Sequence, residues 1–176
     1  MRAFVLALPL LVPSTLLAAG GGGSTPPTPT ETTTQCENGQ IYDEATKACA
    51  DPKDARFDDD SRYDAARELA YADRHNDARH VLAAMDQSDD RTLTYLGFTA
   101  RKMGDQAGAE RYYQAALSAN PDNLLARSYM GQGYAEAGDL DAARAQLTEI
   151  RTRGGRDTWA EVSLRLALES GTGPSY

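Results

Sequence analysis

The sequence predicts an all-α protein: a stack of about three helix-turn-helix repeats closed by a final helix, with a lead-in of different character before it. Three observations carry this prediction. Similar residues recur along the chain at an offset of 34. Within each copy the apolar and small residues keep the i, i+3, i+4, i+7 spacing of one helix face. Gly-Asp pairs at matching places end one helix and cap the next. The 176 residues, 41% hydrophobic and 25% charged, are enough for one packed domain of this kind.

Met1-Arg2 gives a positive start, Ala3 to Val12 is nearly all apolar, and Leu16-Leu17-Ala18-Ala19 leads into small residues. Residues 1–19 therefore read as a secretory signal peptide. The apolar run is shorter than the roughly 20 residues of a membrane span, so the mature chain is expected to carry no transmembrane segment. Residues 20–35 hold four glycines, then Ser, Thr, Pro and Glu with no large apolar side chain, and read as a flexible linker. An O-glycosylated stalk is the other reading of that composition.

Cys36 and Cys49 are separated by twelve intervening residues, and in an exported chain two such thiols are expected to pair. The bridge would close a loop of about 14 residues, adding on the order of 3 kcal/mol by chain entropy. Asn38-Gly39 signals a turn and Gln40-Ile41-Tyr42 a short strand. The spacing Cys-x-x-Gly-x-x-Tyr-Asp in residues 36–43 resembles one corner of the small disulfide-rich chitin-binding modules, which implies carbohydrate binding. A stapled knob at the head of the folded domain is the alternative. Residues 50–58 form an acidic connector. Asp58-Asp59-Asp60 lacks the Gly and distal Glu of a calcium loop and reads as helix capping at the positive end of the helix dipole.

The repeats follow over residues 59–170. Leu96-Gly97 and Met130-Gly131, Gly104-Asp105 and Gly138-Asp139, Ala109 and Ala143, Tyr113 and Leu147, and Ala116 and Ile150 are each 34 apart. Ala78 and Leu82 precede Ala109 and Tyr113 by 31, implying a turn three residues shorter around Asp86–Asp89. Gly97 and Gly131 are expected to let paired helices approach closely. Asn120-Pro121-Asp122 ends one copy, with Pro121 placed early in the next helix. The last helix is expected to bury Trp159, Val162 and Leu166 and to wet Glu161, Arg165 and Glu169. Residues 171–176 are a tail.

These residues resemble the tetratricopeptide repeat family. The second copy carries Leu96, Gly97, Gly104, Ala109, Tyr113, Ala116 and Pro121, and the third carries Gly131, Tyr134, Gly138 and Ala143. The first departs, with Ala65-Ala66 for the Leu-Gly pair and Asp73 for the turn Gly, and the third ends in Gly155 where the family has Pro. The resemblance implies a concave groove, lined by the first helix of each pair, that grips a peptide or partner protein. Its lining here is Tyr63, Arg67 and Tyr71, then Thr94, Phe98, Arg101 and Lys102, then Ser128, Gln132 and Glu136. Such a basic, aromatic stretch favours an acidic peptide; otherwise Tyr63 and Phe98 pack and the bases form a solvated face. The Asn of the family's carboxylate-clamping members is absent. The acidic residues 50–60 could fold back onto Arg67, Arg101 and Lys102 and occlude the groove.

Net charge is −8 and pI about 4.7, which argues against a nucleic-acid binder. Residues 20–60 hold −6 of it and residues 61–176 hold −3, with Arg2 adding one positive charge. Two Cys and two His make no common zinc site, and His75 and His80, five apart, diverge and read as surface residues. No Gly-x-Ser-x-Gly elbow is present. No cofactor, metal or catalysis is expected. Arg outnumbers Lys 15 to 3, which fits a GC-rich bacterial genome. The expectation is an exported, periplasmic or extracellular scaffold in bacterial envelope assembly. The alternatives are cell-wall carbohydrate binding through the Cys36–Cys49 loop and a regulatory subunit of an envelope enzyme complex.

Overall fold

A computed structural model describes residues 26–173. The expected signal peptide, the glycine-rich start of the linker and the end of the tail lie outside the described residues. In chain order the elements are α1 (Glu31–Thr34), β1 (Ile41–Asp43), β2 (Ala48–Ala50), α2 (Asp59–Tyr71), α3 (His75–Leu82), α4 (Asp90–Lys102), α5 (Gln106–Ala119), α6 (Leu124–Glu136), α7 (Leu140–Thr152) and α8 (Trp159–Ser170). Helices α2/α3, α4/α5 and α6/α7 form three antiparallel hairpins that stack in order, and α8 follows against α6 and α7.

Short polar residues start these helices. Asp58, Asp89, Asp105, Asn123, Asp139 and Thr158 each occupy an N-cap and accept a backbone N–H of the first turn, each cap stabilising by about 1 kcal/mol. Between the two helices of each hairpin the chain turns through a left-handed residue: Asp73 (φ 56°), Gly104 (φ 89°) and Gly138 (φ 81°). The first copy thus holds an aspartate in a conformation that favours glycine.

Close contacts explain the small residues. A Cβ on Gly97 would stand 2.5 Å from the Tyr113 ring, and one on Gly131 would stand 2.7 Å from Leu164. Ala78, Ala109 and Ala143 are buried at matching places in the second helices, with Leu82, Tyr113 and Leu147 one turn on.

Four expectations need correction. The 31-residue offset comes from a shorter helix, not a shorter turn: α3 ends at Leu82, where the Gln87 amide donates to the carbonyls of Leu82 and Met85, 2.8 Å each. Pro121 lies in the turn before α6, whose cap is Asn123. Residues 26–35 are not all linker, because Thr30 to Thr34 dock on α2. Four donors, the backbone N–H and hydroxyl groups of Thr30 and Thr33, converge on the buried Glu68 carboxylate at 2.6–3.2 Å. At the other end of α1, Arg74 donates to the Thr33 carbonyl at 3.1 Å. Negative charge at the start and positive charge at the end of α1 both match its dipole.

The fourth correction concerns α8. Ala160, Glu161, Ser163, Leu164 and Ala167 are its buried residues, Leu166 is 39% exposed, and Trp159 and Val162 are half-buried. Glu161 is buried because Arg151 meets its carboxylate at 2.7 Å and the Asp157 N–H donates to it at 2.9 Å.

Cys36 and Cys49 are disulfide-bonded, and β1 pairs antiparallel with β2. This hairpin and the following turn place Ile41 and Phe57 in the same apolar cluster as α2–α5. The lead-in therefore covers the first end of the stack. Among the described residues no helix is long and apolar enough to cross a membrane.

Candidate functional site

The inner face of the stack is built from α2, α4, α6 and α8. Its aromatic residues meet one another rather than solvent. Tyr63 lies edge-on to Tyr95 with centroids 5.6 Å apart, and Tyr71 stacks on Phe98 at 5.5 Å and 3°. Phe98 contacts Tyr129 at 4.8 Å, and Tyr95 lies 6.0 Å from Tyr129. The hydroxyls of Tyr71 and Tyr129 are 2.6 Å apart, and the Trp159 indole N–H donates to the Tyr71 hydroxyl at 3.0 Å. A side chain from α8 thereby reaches α2, the first helix of the stack.

A polar layer continues this face. Arg101, with a 1% exposed side chain, donates to Glu136 and to the Gln132 side-chain oxygen, the latter at 3.1 Å. Burial opposes the Arg101 charge, but the Tyr113 and Glu136 groups outweigh it and hold the pKa above the usual value. The Gln132 amide donates to Ser128 and Ser163 at 3.2 Å each, and the two serine hydroxyls are 2.9 Å apart. Past the end of α8, the Gly173 N–H donates to Glu136 at 3.2 Å.

Of the ten residues expected to line the groove, seven are buried, Tyr63, Tyr71, Thr94, Phe98, Arg101, Ser128 and Gln132, and Glu136 is exposed. This corrects their reading as an open binding surface. They do line the inner face, but they fill it. Arg67 and Lys102 are half-buried at its margin, each within 6.0 Å of an aromatic centroid, Tyr71 and Phe98 respectively. Burial, then the neighbouring Arg101, lowers the Lys102 pKa. The expected self-occlusion by residues 50–60 is also corrected: Asp60 pairs with Arg91 at 2.7 Å, while Arg101 pairs with Glu136.

His75 is not a surface residue. Its ring lies 6.3 Å from that of Phe98, and burial lowers its pKa. His80 is exposed on α3. Among the described residues no group of three His, Cys, Asp or Glu side chains is placed to hold a metal. Tyr95 and Tyr129, central to the aromatic cluster, stand 34 apart, so the repeat period alone was enough to pair them. Glu68 and Trp159 have no such signal, because their partners Thr30 and Tyr71 lie 38 and 88 residues away.

Residues 100–160, from the end of α4 to the start of α8, match the sequence profile of the tetratricopeptide repeat. No curated protein and no solved structure shows a significant match to the chain. Tetratricopeptide repeats generally mediate protein–protein interaction. By that match residues 100–160 are similar to the tetratricopeptide repeat family, and the stacked hairpins around them have the same helix-turn-helix form.

Proposed function

We propose that this chain is a non-catalytic protein-interaction scaffold, exported across the bacterial inner membrane and working in assembly of the cell envelope. The observation that carries the reading is the stack of three family-type hairpins, with both ends finished. The disulfide hairpin covers one end through Ile41 and Phe57. Helix α8 ends the other with Arg165, Leu166, Glu169 and Ser170 exposed, where α6 keeps Met130, Gly131, Tyr134 and Ala135 covered or half-covered. A mostly polar outer face is what a terminal repeat needs. Export is supported by the signal-like residues 1–19 and by the disulfide, which belongs to oxidising compartments.

The apolar side of the cysteine hairpin faces the stack, so nothing specific favours carbohydrate binding there. Crosslinking with mass spectrometry in native envelope tests the proposal. Expected are reproducible crosslinks from α2–α8 to a small set of proteins. An absence of protein crosslinks, with retention of the full chain on cell-wall glycan, overturns it.

A further inference from the structure

Helix α8 does more than end the stack. Aligned on their N-caps, α6 and α8 are offset by 35, so Ser163 is the counterpart of Ser128 and Ala160 and Ala167 are those of Leu125 and Gln132. In α4 and α6 these positions belong to the inner face. In α8 they are small, and they sit against the inner face of α6: Ser163 is bonded to Ser128 and Gln132. At one end of the helix Trp159 bonds Tyr71, and at the other Gly173 bonds Glu136. α8 therefore covers the part of the inner face that α6 forms, and through Trp159 it reaches Tyr71 of α2.

We propose that α8 is an internal ligand of the inner face and that the physiological partner is an amphipathic helix that takes its place. This rests on the scaffold reading above. The fitting helix carries an aromatic N–H or O–H donor near its start for Tyr71. It has a small-residue stripe at i, i+3/i+4 and i+7 for Ser128 and Gln132. Helix-in-groove recognition needs such an anchor pattern, and a state that is open only part of the time lowers apparent affinity by its open fraction. Weakening α8 therefore raises affinity for an added helix.

The test uses the full chain and a fluorescently labelled synthetic peptide of residues 157–173, read by anisotropy. Trp159→Ala is expected to bind the peptide about tenfold more tightly than the unsubstituted chain, the factor that follows from about 1.4 kcal/mol less in the closed state. A Ser128→Cys/Ser163→Cys chain, oxidised to lock α8 down, is expected to bind none, and reduction is expected to restore binding to the level of the reduced, unsubstituted chain. Equal binding by the locked and unlocked chains, or no binding by any of them with helix content intact, overturns the proposal. The locked chain keeps the test decisive if Trp159→Ala unfolds. The envelope crosslinking result is unaffected by either outcome, so a failure here is separate from a failure of the scaffold reading.

Discussion

At the residue scale, backbone geometry and packing can be separated by substitution. Asp73 holds φ 56° at the place where Gly104 and Gly138 hold 89° and 81°. Asp73→Gly is expected to stabilise the protein by about 0.5–1 kcal/mol, since a non-glycine residue is strained there. Urea unfolding reads this, and a loss of stability would show that the aspartate side chain matters more than its backbone. Gly97→Ala tests the opposite case. Its new Cβ would meet Tyr113 at 2.5 Å inside a helix, so a cost of about 1–3 kcal/mol from overpacking is expected. Phe98→Ala removes the ring that touches Tyr71, Tyr95 and Tyr129, and a loss of about 3–5 kcal/mol is expected.

At the element scale, the lead-in is an end-cover tied down at several points. The disulfide, Ile41 and Phe57 hold the hairpin, and Glu68 holds α1. Reduction of Cys36–Cys49 is expected to destabilise the protein by on the order of 3 kcal/mol and to speed amide exchange first in β1 and β2. Unchanged exchange there would mean that packing alone fixes the hairpin. Acid acts on the same element. Hydrogen bonds from Thr46 and then Arg56 lower the Asp43 pKa to about 2, from an ordinary 3.8. A lowered carboxylate pKa stabilises the fold above the ordinary value, and that stabilisation fades as pH falls through the folded one. Hairpin amide exchange is therefore expected to rise between about pH 4 and pH 2, and the rise to be absent in Asp43→Asn.

The helices themselves were legible, because their signals are local. Caps such as Asp89 and Asp105 and turns such as Gly104 each act within one or two turns of chain, and the recurrence at 34 marks where they repeat. Docking was less legible. The Thr-rich run before Cys36 has a linker's composition, and only Glu68, brought near by folding, makes it a docked turn. The α8 buried face departs from its sequence pattern for a related reason: an exposed Leu166 looks like core in sequence, while Glu161 is buried by one arginine and one backbone N–H.

At the scale of the whole molecule, the stack has finished ends and a filled middle. The residues expected to line a groove instead pack together: Tyr71, Phe98, Tyr129 and the Arg101–Gln132–Ser128 layer meet one another and α8. Their spacing puts those residues on one face of the first helices without showing that the face is closed, since closure depends on contacts from α8. The central claim is that α8 lies against the inner face of α6, with Ser163 beside Ser128. The most direct measurement is disulfide trapping in the full chain carrying Ser128→Cys and Ser163→Cys, scored by mass spectrometry after mild oxidation. Near-complete formation of the 128–163 bond within one chain, at low protein concentration, is the predicted result. Free thiols at both positions, or bonds formed only between chains, would contradict it.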